Sequence, residues 1–194
     1  MSRATRLTVR LVDKVPSVAV AAGRQSWMGL SWTTMAVALV ATAALGTSAA
    51  DLPDTITAKG EAVVLHVHAE GAQIYECRAD AGGRTAWQFR EPIASLFRDG
   101  KTVGRHYAGP TWEIEGSAVV GRAVDRAPGA TAKDIPWLKL EVVDKHGNGP
   151  LKEITTVQRV NTVGGNLEGA CENAGGFHAE PYAADYIFLK RTSP

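Results

Sequence analysis

The chain has 194 residues, of which 45% are hydrophobic, with 21 basic and 20 acidic side chains. The basic surplus lies in the first fifty residues, because residues 51–194 carry 16 basic and 19 acidic side chains, a net charge of −3. A segment with this balance and no basic patch does not neutralise phosphates, which excludes nucleic acid as its partner.

Residues 1–50 have the composition of a targeting segment. Basic side chains come first, an uncharged alanine-rich run covers residues 35–50, and Asp51 follows. A basic region, an apolar run and small residues before a polar start are the parts of a secretory signal peptide. The uncharged residues 25–50 also reach the roughly 20 residues of a membrane span. We therefore predict a signal peptide or a retained anchor helix, with membrane contact only in the second case, and a periplasmic or extracellular location.

After residue 50, hydrophobic side chains recur with a period of two, which is typical of β-strands. In the first candidate strand this period places Val63 on the same inner face as the later apolar residues. The last candidate is apolar on both faces, which indicates a strand covered on both sides. The candidate strands are 63–68, 73–78, 85–89, 111–115, 117–123, 137–142, 154–160 and 182–189.

Glycine-rich turns separate these candidate strands, a pattern typical of β-sandwiches and β-barrels. One short helix is predicted over residues 92–97, where proline occupies the first helical position. We therefore predict that residues 51–194 form a single all-β domain, an antiparallel sandwich or barrel-like fold with at most one short helix, preceded by the signal or anchor helix.

The chain contains two cysteines, Cys77 and Cys171. Two cysteines in an exported domain most simply form one disulfide, because the compartment is oxidising. A metal or redox role would require a C-x-x-C motif or nearby ligands, and the sequence has neither. We predict the disulfide.

The densest group of polar and aromatic residues lies at residues 104–113, around a Gly-Pro turn. In a binding site, Arg105 would hold an anionic group, while His106 and Glu113 would form hydrogen bonds. In the simpler alternative, Trp112 is a core residue and Arg105 and Glu113 are an exposed ion pair. The candidate binding residues are Arg105, His106, Tyr107, Trp112 and Glu113, with Asp185 and Tyr186 as neighbours from a distant strand.

Two other functions compete with binding. In a hydrolase, His106 would act as a base oriented by a carboxylate such as Glu113. In a metal-binding protein, His66 and His68 would present two imidazoles on one strand face, and a third ligand would come from elsewhere. The sequence contains no G-x-S-x-G motif and no phosphate-binding glycine loop, so no cofactor is predicted and the question of enzymatic activity stays open.

Several strings, in order along the chain, resemble the domain-of-unknown-function 3455 family of exported bacterial proteins and fungal proteins. The resemblance covers roughly residues 52–190 and implies an exported domain in which both cysteines are a feature. It implies no activity, cofactor or site residue, and His66 and His68 lie outside the strings. The strings are residues 71–77, 87–92, 104–113, 135–138, 158–165 and 181–186, together with Cys171.

The most favoured function is therefore non-catalytic binding of a small molecule, a glycan or a cell-envelope partner. Tryptophan and tyrosine side chains offer stacking faces for a sugar or another flat ligand. The partner is predicted as an unidentified ligand or envelope component.

Overall fold

The computed structural model describes residues 52–192, so the predicted targeting segment lies outside the described residues. Eight antiparallel strands follow one another around a closed barrel. Their bounds are β1 Glu61–Ala79, β2 Thr85–Arg98, β3 Lys101–Tyr107, β4 Thr111–Ile114, β5 Ser117–Ala127, β6 Trp137–Gly147, β7 Thr156–Gly164 and β8 Phe177–Arg191.

The barrel closes because β1 pairs with β2 on one side and with β8 on the other. Each remaining strand pairs with its two neighbours in the chain, so the sheet has no free edge. The all-β prediction is confirmed, and of its two forms the structure has the barrel. The described residues contain no α-helix and only one 3₁₀ turn, Asp54–Ile56. None of their helical segments is long and apolar enough to cross a membrane.

The predicted helix over residues 92–97 is wrong, because this segment is part of β2. Pro92, Ala94 and Leu96 are buried and alternate with exposed neighbours, which is the period of a strand. Pro92 has no backbone N–H to donate, and it pairs opposite Gln73 beside an irregularity in the β1–β2 register. The free-energy cost of placing proline in the hydrogen-bonded pairing of two strands is therefore small at this position.

Two other details differ from the predicted strands. Residues 63–68 and 73–78 belong to one continuous strand, β1, and β3 was not among the candidates. Val63 is 62% exposed, whereas Leu65 and Val67 are buried, because the β1–β8 register shifts between Val63 and Leu65. A bulge of this kind reverses the face of the residues before it.

Apolar side chains fill one end of the barrel. Leu151 and Ile154, from the connection between β6 and β7, are fully buried in the main core together with Phe188 of β8. The Ser117 hydroxyl accepts a hydrogen bond from the Leu151 backbone nitrogen at 3.1 Å and donates one to the Ile114 carbonyl at 3.0 Å. This connection therefore closes one end of the barrel.

A second, smaller cluster packs outside the barrel wall. Ile56 of the 3₁₀ turn packs with Val160 and Ala127, and Ile187 of β8 lies against them. Gln158 donates a hydrogen bond from its side-chain amide to the Ile56 carbonyl at 2.6 Å. β8 is thus covered on both faces along this stretch, as its apolar pattern predicts.

The disulfide between Cys77 and Cys171 is present, as predicted, and its Cα atoms lie 5.8 Å apart. It connects the end of β1 to the long loop between β7 and β8. Backbone hydrogen bonds on both sides of Cys77, to Gly175 and Gly176 at 2.8 Å each, hold the same loop against β1. The loop is therefore fixed beside the other end of the barrel, opposite the end that the connection between β6 and β7 closes.

Candidate functional site

A cavity of about 540 Å³ lies inside the barrel, at the end opposite the connection between β6 and β7. All eight strands contribute to its wall, which is mainly apolar and aromatic. Pockets that enclose small molecules typically have volumes of about 300–1,000 Å³ and this kind of lining. β5 contributes only the small residue Ala123 to the lining, and at Gly121 of the same strand a Cβ atom would lie 2.9 Å from the Trp112 ring. Small residues on β5 therefore leave room for both the indole and the cavity.

Three aromatic rings, two on the paired strands β3 and β4 and one on the more distant strand β8, meet in the barrel interior and line the cavity. His106 and Trp112 are opposite each other in the β3–β4 register, and their rings stack at 4.5 Å. Tyr186 of β8 packs edge-on against both rings, at 5.0 Å and 5.3 Å between centroids. All three side chains are at most 2% exposed. Strand pairing thus brings His106 and Trp112 together, and closure of the barrel brings Tyr186, from a distant part of the chain, against both rings.

His106 is neutral and has a defined tautomer. Its Nδ1 lies 2.8 Å from the Thr111 carbonyl oxygen, which only accepts, so Nδ1 carries the proton and Nε2 is an acceptor. Burial lowers the pKa of His106 to about 3, since the charged imidazolium would lose its hydration. No carboxylate among the described residues pairs with His106. The predicted orientation of His106 by Glu113 is wrong, because Glu113 lies on the opposite face of the sheet.

Arg105, Tyr107 and Glu113 lie together on the outside of the barrel. Arg105 donates hydrogen bonds to Glu113 Oε2 at 2.8 Å and 3.1 Å, and its guanidinium lies 4.8 Å from the Tyr107 ring centroid. These hydrogen bonds from Arg105 hold the pKa of Glu113 below its usual value. This arrangement matches the simpler alternative, in which Arg105 and Glu113 are an exposed pair and Trp112 is a core residue.

Asp185 also lies outside, in a cluster with both candidate metal ligands. His68 Nδ1 is 2.9 Å from Asp185 Oδ1, and His66 Nε2 is 3.7 Å from Asp185 Oδ2. Partial burial opposes the charge of Asp185, but hydrogen bonds from Asn161 and His68 hold its pKa below the usual value. The two imidazoles face the same way, as predicted. Within residues 52–192, however, no group of three or more His, Cys, Asp or Glu side chains is arranged to hold a metal ion.

The structure therefore divides the predicted site between two faces of the sheet. His106, Trp112 and Tyr186 face the cavity, whereas the charged candidates and Tyr107 face outward. Strand alternation causes this division, because adjacent residues point to opposite faces. The binding roles assigned to all of these residues stay predictions.

Several polar residues of the cavity wall were not among the sequence candidates, and Gln73 and Arg159 are two of them. Gln73 of β1 is fully buried, and Arg159 of β7 is partly buried. The sequence did contain a pattern that indicates an inward-facing Arg159, because this residue lies two positions after the buried Val157 and so shares its face of the strand. A search for polar residues at the alternate positions that form the apolar face of a strand would have identified Arg159.

Gln73 and Trp112 belong to a buried polar network around two phenols. The hydroxyls of Tyr182 and Tyr186 lie 3.4 Å apart, and burial raises the pKa of both. Gln73 and Trp112 lie close enough to these phenols to favour their ionised forms, yet Gln73 Nε2 and Trp112 Nε1 make no hydrogen bond of normal geometry with the described residues. Two buried hydrogen-bond donors beside the cavity thus lack an acceptor at normal geometry within the described residues.

The fold and this cavity define a class of protein: a closed eight-stranded antiparallel barrel with a ligand-sized interior. The family model described as "protein of unknown function (DUF3455)" matches residues 57–190, nearly the whole barrel. The chain belongs to this family, which confirms the resemblance drawn from its sequence strings. Comparison with curated proteins and with solved structures finds no match.

Proposed function

We propose that this protein binds a small, largely apolar molecule inside the barrel and does so without catalysis. The observation that carries the proposal is the cavity itself, about 540 Å³ in volume and lined by side chains from every strand. Apolar side chains such as Leu138, Leu140 and Ile135 supply most of the contact surface. Transfer of an apolar ligand from water to such a surface is favourable by about 25 cal/mol per Å² of buried area.

A few polar atoms around the cavity are suited to orient a ligand. His106 Nε2 is an acceptor, whereas Gln73 Nε2 and Trp112 Nε1 are donors that lack a full partner within the described residues. A buried donor without a partner costs about 1–3 kcal/mol, which a small shift of the donor towards a ligand acceptor would recover. This mixture of an apolar wall and few polar atoms favours a small molecule over a glycan, whose many hydroxyls need many partners.

The entrance of the cavity also supports ligand entry. Phe89 lines the cavity yet is 54% exposed, and its ring packs edge-on against Tyr75 at 5.9 Å. Tyr75 is itself held in place, because its hydroxyl donates to the Gly165 carbonyl at 2.8 Å. An exposed phenylalanine at a pocket entrance provides apolar contact to an entering ligand at little cost in conformational entropy.

The hydrolase alternative has less support. A histidine base needs a neighbouring group that orients it and stabilises its charged form. The Nδ1 of His106 is already bonded to the Thr111 carbonyl, and no acidic residue is among the described residues that line the cavity.

Cavity binding is tested with N-phenyl-1-naphthylamine, a neutral probe that fluoresces in apolar sites. We expect saturable binding to the protein and loss of most of that binding in Leu138→Trp, because the larger side chain occupies the cavity. Val143→Trp is the matched control, since Val143 is on the same strand and 53% exposed. Absence of saturable binding, or an equal effect of both variants, would reject the proposal.

A further inference from the structure

We propose that the ligand of the barrel is an organic anion whose acidic group pairs with Arg159, while its apolar body contacts the cavity wall. This inference rests on the proposed function and names the chemical class of its ligand. It is carried by the surroundings of Arg159 and by the charge of the cavity lining.

Arg159 is fixed at the wall by backbone contacts. Its Nε and Nη2 donate hydrogen bonds to the Pro136 carbonyl oxygen at 3.1 Å and 2.8 Å, and both residues line the cavity. Nη1 makes no hydrogen bond of normal geometry with the described residues, although the guanidinium lies close enough to the Tyr186 hydroxyl to favour ionisation of that phenol. The cation is thus held in one position, with part of its hydrogen-bonding capacity unused.

The positive charge of Arg159 has no counter-ion within residues 52–192. The other arginine of the lining, Arg90, lies 3.2 Å from Glu91 and 3.8 Å from Glu76. No described Asp or Glu lines the cavity, and the neutral His106 adds no charge. The cavity is therefore an apolar space with one unpaired cation at its wall.

Such a cation favours an anionic ligand for two physical reasons. A partly buried charge loses hydration, and an opposite charge offsets that loss. A guanidinium also donates two parallel hydrogen bonds to a carboxylate or a similar oxyanion, and these bonds strengthen as water is excluded. The apolar wall selects a ligand whose remaining atoms are hydrocarbon or aromatic, which excludes small inorganic anions.

A matched pair of probes tests the acidic group. 8-Anilino-1-naphthalenesulfonate and N-phenyl-1-naphthylamine share one aromatic body and differ by the sulfonate. We expect the wild-type protein to bind the sulfonate probe more tightly. Arg159→Met should weaken that binding about tenfold or more, the range of a charge-assisted hydrogen bond, and leave the neutral probe within about threefold.

Two further variants keep the test independent of folding. Arg159→Lys retains the charge and should recover part of the preference for the sulfonate probe. Arg122→Met, in an outer arginine that pairs with Glu141 at 3.0 Å, should change neither affinity. Decanoate should displace the neutral probe at a lower concentration than 1-decanol, which extends the result to carboxylates.

The outcomes separate the two proposals. If neither probe binds, cavity binding itself fails, and this inference fails with it. If the neutral probe binds as tightly as the sulfonate, or Arg159→Met weakens both probes equally, cavity binding stands and the anionic ligand is overturned.

Discussion

His106 illustrates how the barrel interior controls a single side chain. Its ring stacks on Trp112, and the hydrogen bond to the Thr111 carbonyl satisfies the proton on Nδ1. Protonation of Nε2 would place a charge among buried aromatic rings, so the folded protein disfavours it. A histidine that is neutral over most of the pH range serves as a hydrogen-bond acceptor rather than as a source of charge.

This environment predicts a pH-dependent stability. Below the ordinary histidine pKa of 6.5, the unfolded chain takes up a proton at His106 that the folded chain refuses until about pH 3. The contribution of His106 to the free energy of unfolding therefore falls by roughly 1.4 kcal/mol per pH unit as the pH drops through this window.

The measurement is urea unfolding at pH 7.5 and pH 4.5 for the wild-type protein and for His106→Gln. We expect the wild-type protein to lose about 2–3 kcal/mol more between these two pH values than the variant does, because glutamine does not titrate. Equal losses would mean that His106 is protonated in the folded state as readily as in the unfolded state.

At the scale of single strands, the backbones of two paired strands lie so close at one position that no side chain fits there. β1 pairs with β2 at Gly71, where a Cβ atom would lie 2.1 Å from the Ile93 carbonyl oxygen and 2.5 Å from the Ala94 Cα atom. A side chain at this position would force the two strands apart. Glycine is therefore required by the approach of the neighbouring strand.

We expect Gly71→Ala to lower the free energy of unfolding by about 2 kcal/mol or more, within or above the usual range for overpacking. Gly82→Ala, in the turn between β1 and β2, is the control, because its nearest atom is the Asp80 side-chain oxygen at 3.3 Å. Chemical denaturation of both variants measures the difference. Similar small losses in the two variants would show that β1 and β2 separate easily.

At the scale of the whole molecule, the disulfide connects the first strand to the loop before the last. Cys77 and Cys171 are separated by 94 residues, so the bond closes most of the described chain into one loop. A long closed loop restricts the unfolded chain more than a short one. The bond also indicates an oxidising compartment, since disulfides rarely persist in the cytosol.

Replacement of both cysteines by serine is expected to lower the free energy of unfolding by about 4–5 kcal/mol, the loop-entropy value for this separation. Denaturant unfolding of the variant and of the wild-type protein gives this difference. Thiol titration of the unfolded, unreduced wild-type protein should find no free thiol. Two reactive thiols would contradict the disulfide and weaken the inference about the compartment.

Local patterns in the sequence were sufficient for the class of fold. Alternating apolar residues and glycine-rich turns predict an antiparallel all-β domain, and two cysteines predict one disulfide, because each signal depends on neighbouring residues or on simple pairing. The helix predicted over residues 92–97 was wrong, because proline is common at the first position of helices and also occurs in strands where its missing N–H costs little free energy.

The sequence by itself determined that the domain is all-β, where most of its strands and turns lie, and that the two cysteines pair. Only the tertiary structure decided that β1 meets β8, that residues 104–113 divide between an inner and an outer face, and that Arg159 reaches the cavity wall. These features depend on strand register and on bulges, which pair residues far apart in the chain and leave little local trace. The cavity, and with it the proposed ligand, is therefore a property of the closed barrel.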